Sequence, residues 1–401
     1  MKKQLLSLAL MSILSGTISA QKILFDNTKA ESAGNADWVI DADLHDLGFG
    51  NSGNIYVTSN GQSDAQRYPT PAQSGITSST AETYWTGAIS SWGIECVKTG
   101  YTVESLPYNV PITYGDNTNP QDLSNYDAYI VDEPNIVYTA AEKTAILNFV
   151  HHGGGLFMVS DHNISDRNND GWDSPNIWND LMSNNSVQAN PFGFSFDLQN
   201  FSGSYYFTSV SGDPILAGPY GTVDEVKWSN GTSITLHPSA TATTSAVIYK
   251  AGTTSGNNNI LFAKGYYGSG KFVAMCDSSP TDDNSGDPND QLYNGWITDA
   301  SGNHRKLIMN ATIWLVSRST GIAETDIATI SIAPNPVTNI LTIRASEPCS
   351  IAISDVSGRA VMTELSAAST QTIDMSSLST GVYMVKIIGA HINQTQKIIK
   401  Q

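Results

Sequence analysis

The sequence predicts an α/β domain that carries a β-rich insertion and is followed by a small all-β domain of sandwich type. Three observations lead there. Over residues 22–162, short apolar runs alternate with segments of helical spacing, as when crossover helices cover both faces of a parallel sheet. Residues of about 163–258 are rich in Ser, Thr, Asn and Gly and hold short alternating segments, which suits hairpins and loops. From about 327 to 401, apolar and polar residues alternate in short runs between turn signals, as half-buried strands do.

The elements follow in order. Lys2 and Lys3, the apolar run Leu5–Leu14 and the small pair Ser19-Ala20 read as a signal peptide over 1–20. That run is too short for a membrane anchor, and no other stretch is long and apolar enough to span a bilayer. Lys22-Ile-Leu-Phe-Asp26 reads as a buried strand, and a helix-compatible stretch around Thr83–Trp92 leads into Ile94-Glu-Cys-Val97. Tyr126–Asp132 is a strand that ends at Glu133-Pro134. Thr139-Ala-Ala-Glu142 is a capping box, in which the threonine oxygen and the glutamate serve the free amides of the first helical turn. The helix carries Ala145, Ile146, Phe149 and Val150 at core spacing and stops at Gly153-Gly-Gly155. Leu156–Ser160 is the next strand, so the unit is a right-handed parallel crossover. In the insertion, Phe194–Leu198 and Ala246–Tyr249 alternate as strands do. Asn259–Ala263 and Lys271–Cys276 then flank Gly265–Gly270 as a hairpin, and His304–Ser317 is a final amphipathic helix. This sets an α/β domain over 21–318, a linker over 319–326 and the β domain over 327–401.

The tail holds four motifs in sequence: Ala333-Pro-Asn-Pro336, a strand closing on Ser357-Gly-Arg359, Gly381-Val-Tyr383, and a lysine-bearing end, Gln396-Lys-Ile-Ile-Lys400. In this it resembles the C-terminal sorting domain of type IX secretion cargo in Bacteroidetes. The resemblance implies a protein that crosses the periplasm, meets the type IX secretion machinery and ends secreted or on the cell surface. The tail is then an address, and activity belongs to residues 21–324.

A second resemblance lies in the centre. Tyr126–Asp132, Thr139-Ala-Ala-Glu-Lys143 and Phe149-Val-His-His-Gly-Gly-Gly-Leu-Phe-Met-Val-Ser-Asp161 look like the class I glutamine amidotransferase-like fold. The resemblance implies a flavodoxin-like doubly wound sheet with its site at the strand C-termini. The enzymes of that class place a nucleophilic cysteine just after the strand that here ends at Ser160. This chain has Ser160-Asp161-His162 there, so cysteine-dependent amidotransferase chemistry does not carry over.

The formal net charge is −17. Residues 325–401 balance Arg344, Arg359, Lys386, Lys397 and Lys400 against Asp326, Glu347, Asp355, Glu364 and Asp374, so the excess acid lies in 21–324. That sign repels phosphate backbones and argues against nucleic acid as a partner. It suits a protein that holds divalent cations, or one that stays soluble outside the cell. The three cysteines, Cys96, Cys276 and Cys349, give no disulfide framework, and only the compartment speaks for a Cys96–Cys276 bridge.

Two acidic segments are candidates for chemistry. In the first, Asp166, Asn168, Asp170 and Gly171 match Asp-x-Asn-x-Asp-Gly, in which oxygens at alternate residues wrap a hard cation and glycine permits the sharp turn. Ile177 stands where an EF-hand has its last glutamate, so a calcium loop here needs completion from elsewhere, with Asp173 nearest. The competing reading is a cluster of Asn and Asp turns without an ion. The second segment runs from Asp277 through Asp282 and Asp283 and follows a strand directly.

Asp161, His162 and Asp277 are the candidate catalytic residues, at strand ends along with Asp26 and Glu133. Asp282 and Asp283 are candidate metal ligands beside them. Carboxylates around a histidine serve as general base and acid or as ligands; the competing reading is that they cap helices and bond loop amides. A Ser160-Asp161-His162 triad is disfavoured, because sequential side chains point apart. Trp172, Trp178, Tyr205, Tyr206, Tyr220, Trp228, Tyr293 and Trp296 either stack on sugars or fill the insertion's core. Two functions stay open: a secreted metal-dependent hydrolase of an extracellular polymer, and a non-catalytic module that binds a glycan or protein.

Overall fold

The computed structural model describes residues 20–29, 32–33, 36–41, 45–47, 55–57, 73–85, 87–166, 170–205, 213–238, 242–253, 255–285, 294–299, 302–317, 331–344, 349–365, 370–389 and 393–401. The predicted signal peptide over 1–20, apart from Ala20, and the predicted linker over 319–326 lie outside them. The chain divides into two compact units at Ser317/Arg318.

The first unit is built on a nine-stranded sheet. Its elements in chain order are β1 (Lys22–Asp26), α1 (Ser90–Lys98), β2 (Thr102–Leu106), β3 (Ala128–Asp132), α2 (Ala140–His151), β4 (Gly155–Val159), α3 (Ser174–Ser183), β5 (Phe194–Phe196), β6 (Ile234–Leu236), β7 (Ala242–Tyr249), β8 (Ile260–Tyr267), β9 (Gly270–Met275) and α4 (Asn303–Val316). The strand order is β2-β1-β3-β4-β9-β8-β6-β5, with β7 also paired to β8. The first five strands are parallel, and β8, β6, β5 and β7 join antiparallel.

The predicted hairpin is β8–β9. Its antiparallel member is β8, while β9 runs parallel to β4 from Lys271 opposite Gly155 to Met275 opposite Val159. Asp277 therefore leaves the sheet at the same edge as Asp161.

Helices cover both faces. Phe25, Ile130 and Phe157 stand side by side in register and share a face. There Trp92 of α1 meets Phe25 at 5.4 Å and Phe157 at 4.7 Å between ring centroids, and its Nε1 donates to Thr312 of α4 at 3.0 Å. Tyr129, on the opposite face, lies near Tyr138 and Glu142 at the start of α2. The capping box forms as the sequence predicts: Thr139 Oγ1 accepts from the Glu142 amide at 3.3 Å, and Glu142 Oε2 accepts from the Thr139 amide at 2.8 Å. Past α2 the chain reverses through Gly153 at φ +117°, a conformation open to glycine at little cost.

The sequence expectations differ from this fold at two points. The first helix is Ser90–Lys98, not a segment around Thr83–Trp92, because its starting turn is stabilised from far away: the Ser91 amide donates to Asp283 Oδ2 at 2.6 Å. The insertion is not all hairpin and loop. It contains α3, whose Ile177, Trp178, Leu181 and Met182 are buried at helical spacing, with Trp178 Nε1 bonded to the Val159 carbonyl at 2.9 Å. Strands β5, β6 and β7 extend the main sheet. Cys96 and Cys276 are both free and buried, so no bridge joins them.

The second unit has its own core of Val337, Leu341, Ile343, Ile351, Ile353, Ile373, Met375, Tyr383, Val385, Ile387 and Ile398. Its strands are β10 (Ser331–Ala333), β11 (Ile340–Arg344), β12 (Cys349–Asp355), β13 (Ala360–Leu365), β14 (Thr370–Asp374), β15 (Gly381–Gly389) and β16 (Asn393–Lys400). They make antiparallel sheets ordered β10-β11-β14 and β13-β12-β15-β16. No described helix is long and apolar enough to cross a membrane.

Candidate functional site

Parallel pairing brings the C-terminal ends of β1, β3, β4 and β9 to one edge, where loops are free to carry polar groups. Asp132 and Glu133 follow from β3, Ser160, Asp161 and His162 from β4, and Cys276 and Asp277 from β9. Glu133, Asp161 and His162 each present one ligand atom, and the three atoms lie within 4.8 Å of one another. Glu133 is 1% exposed and Asp161 6%, whereas the His162 side chain keeps 20% of its surface in solvent. His162 is thus the cluster's opening to water.

The backbone here is held in costly conformations. Glu133 sits at φ +43° and Ile164 at φ +79°, and such torsions persist only where the surroundings fix them. The Glu133 amide still bonds the Val159 carbonyl at 3.2 Å. Around Ile164, its amide donates to Asp173 Oδ2 at 2.8 Å. Asn163 and Asn200 bond reciprocally, the Asn163 amide to Asn200 Oδ1 at 2.8 Å and Asn200 Nδ2 to the Asn163 carbonyl at 2.7 Å. The insertion closes the other side. The Ser229 amide donates to Asp277 Oδ2 at 2.5 Å, and Thr232 Oγ1 donates to the Asp161 carbonyl at 3.2 Å. Gly231 permits this approach, since a Cβ there would stand 2.2 Å from the Cys276 carbonyl oxygen.

Burial without enough partners sets the electrostatics. His162 Nδ1 bonds Asp161 Oδ2, Ser278 Oγ donates to Glu133 Oε2 at 2.9 Å, and Thr281 Oγ1 donates to Asp132 Oδ2 at 2.7 Å. The second oxygens, Glu133 Oε1, Asp161 Oδ1 and Asp132 Oδ1, are buried and accept no hydrogen bond from the described residues. Burial, reinforced by the charges of Glu133 and Asp277, pushes the Asp161 carboxyl well above the usual range, against the lowering effect of the His162 and Ser278 backbone amides. Burial does the same to Asp132, which Thr281 opposes and Glu133, Asp161 and Asp282 reinforce. Burial also raises Asp277, to about 6, against the lowering effect of hydrogen bonds from Ser279 and Ser229.

The other sequence candidates separate from this cluster. Both Asp277 oxygens are taken by amides, of Ser229 and of Ser279 at 2.8 Å, so Asp277 acts on the cluster through its charge. Asp282 is fully buried, bonds the Asn284 amide at 2.8 Å and bears on Asp132. Asp283 serves the α1 turn through Ser91 instead of facing the cluster.

In the loop after β4, Asp166 accepts from the amides of Asp170 at 3.1 Å and Gly171 at 2.8 Å. Asp170 accepts from the Trp172 amide at 2.9 Å. Asp173 accepts from the Ile164 amide and from Asn176 Nδ2 at 2.5 Å. Asn168 lies outside the described residues. Ser160 is wholly buried, and its hydroxyl accepts from Ser174 Oγ at 3.1 Å. Trp178, Trp228 and Trp296 are buried, while Trp172 is 37% exposed. Glu133, placed by the sequence among the acidic strand ends but not among the candidate site residues, joins Asp161 and His162 in the cluster; its one local signal is a Glu-Pro pair closing an apolar strand.

Residues 331–401 match the family of secretion system C-terminal sorting domains. The chain therefore carries the address of type IX secretion cargo, destined to be secreted or displayed at the cell surface. Among curated proteins none matches this chain. Of solved structures, the mmIFT52 N-terminal domain is 13% identical, with 75% of this chain and all of that one covered and a TM-score of 0.41. A cytoplasmic protein from Salmonella typhimurium LT2 is 14% identical over 74% of this chain and 97% of its own, with a TM-score of 0.37. PorZ, a surface component of the type IX secretion system of Porphyromonas gingivalis, is 20% identical over 21% of this chain and 12% of its own, with a TM-score of 0.18.

Proposed function

We propose that the exported chain is a hydrolase of an extracellular polymer, working at the strand edge where Asp161 and His162 meet. The observation that carries this is the Asp161–His162 contact beside the buried Glu133. Asp161 bonds one ring nitrogen and so holds the imidazole in place, which leaves the cluster of Asp161, His162 and Glu133 to bind and polarise a water or substrate at the edge. Asp277, with both oxygens bound to amides, is a positioning residue that acts through Asp161. The parallel order β2-β1-β3-β4-β9 supports the flavodoxin-like reading, in which ligands bind outside the strand C-termini. The buried, hydrogen-bonded Ser160 gives no support to a nucleophile at the position where the amidotransferase-like enzymes carry cysteine.

The test is turnover of polysaccharide, peptide and ester polymers by the mature chain. His162→Ala is expected to lower the rate on the responsive substrate by about 100-fold or more. No turnover by the wild-type chain, or an unchanged rate in the variant, would overturn the reading. The alternative, a non-catalytic binding module, is favoured by the exposure of Ile164 and Trp172 next to the same edge, 82% and 37%. Export has its own test: the chain lacking 331–401 is expected to fold and to stay in the periplasm, and its appearance outside the cell would count against the address.

A further inference from the structure

We propose that Glu133, Asp161 and His162 bind one divalent cation of the zinc type. This names the cofactor of the hydrolytic site proposed above, yet it stands or falls by metal binding and not by turnover. Three observations converge. The ligand atoms lie within 4.8 Å of one another, close enough for one ion to gather them with small side-chain shifts. Glu133 Oε1 and Asp161 Oδ1 are buried and accept no hydrogen bond from the described residues, although an unpartnered buried carboxylate oxygen is costly. The Glu133 backbone is held at φ +43°, so the fold keeps its carboxylate in the cluster against a local torsional preference.

The donor set selects the ion. Two carboxylates and an imidazole suit zinc or a neighbouring first-row metal, whereas calcium takes six to eight oxygens and rarely nitrogen. Three protein ligands also leave a coordination position for water or substrate, and His162, the partly exposed member, lies where solvent reaches the cluster. A bound zinc ion lowers the pKa of its water toward neutrality and so supplies a nucleophile for hydrolysis. No carboxylate oxygen in the described part of the Asp166–Asp173 loop is buried without a partner. Its described carboxylates already accept from backbone amides or Asn176.

The experiment is metal analysis and thermal unfolding of the mature full-length chain, stripped with chelator and titrated with zinc, manganese or calcium chloride. One zinc per chain is expected, with zinc raising the Tm more than manganese and calcium acting least at this centre. Glu133→Gln, which keeps the side chain's size, is expected to weaken zinc binding by about tenfold or more, and His162→Ala likewise. Asp170→Ala is expected to leave zinc binding unchanged. If Glu133→Gln fails to fold, circular dichroism will show it and His162→Ala carries the test. No bound zinc in the wild-type chain would overturn the proposal, as would zinc binding that survives both cluster variants or is lost in Asp170→Ala. A chain that binds zinc through these residues yet hydrolyses nothing would keep this inference and overturn only the hydrolytic reading.

Discussion

Two acidic regions lie within a few residues of each other and behave oppositely. The loop from Asp166 to Asp173 is dense in carboxylates and close in spacing to a calcium-binding pattern. Its described acids turn their oxygens to backbone amides of the loop, and Asp170 is exposed. The strand edge holds its carboxylates apart in the sequence, on β3, β4 and β9. There, Glu133, Asp161 and Asp132 each retain a buried oxygen with no hydrogen bond from the described residues. Acid density alone therefore does not strand a buried oxygen. Burial without a partner does, and such an oxygen keeps its capacity to bind a cation or a proton.

Four measurements would break or sharpen that contrast. The largest effect is expected from pH. In the presence of chelator, Asp277 holds its proton more tightly folded, at about 6, than at its usual 3.8. Its contribution to stability is therefore fully present below pH 3.8 and is lost as pH rises through about 6. The loss is about 3 kcal/mol, and Asp277→Asn should flatten the slope of denaturant-measured stability over that window. An unaltered slope in the variant would show that Asp277 is not desolvated as the edge requires.

Next, Glu133→Gln should leave the chelated protein no less stable, because the buried Oε1 has no hydrogen bond from the described residues to lose. The same variant should abolish the further rise on adding zinc. A loss of stability in chelator would mean that the carboxylate is internally satisfied.

Between the two regions, Ile164→Gly should stabilise the fold by about 1 kcal/mol, since Ile164 is 82% exposed and its φ of +79° suits glycine. Unfolding at a lower denaturant concentration would show instead that the isoleucine side chain packs on something. The smallest effect is expected in the loop. Asp166→Ala removes the acceptor of two amides and should cost about 1 kcal/mol or less, without altering zinc affinity.

The sequence by itself determined what depends on neighbouring residues. The capping box at Thr139, the apolar runs of β3 and β4, the β8–β9 hairpin and the alternating tail are local patterns, and each was legible as such. The tail's four motifs also carried the address, because they lie close together along one self-contained domain. Local pattern could not place the start of α1, whose Ser91 amide meets Asp283 from the other end of the unit. Nor could it decide whether Asp277 leaves the sheet beside Asp161 or at the far edge, since either hairpin strand was free to be the antiparallel one. Only the pairing of β9 with β4 settled that. Helix α3 was readable from Ile177, Trp178, Leu181 and Met182 but was masked by the Asn- and Ser-rich composition around it. Glu133 gained its meaning from tertiary structure alone. A carboxylate after a strand is ordinary until parallel register sets it against Asp161 and His162 and burial removes the water that would otherwise satisfy it.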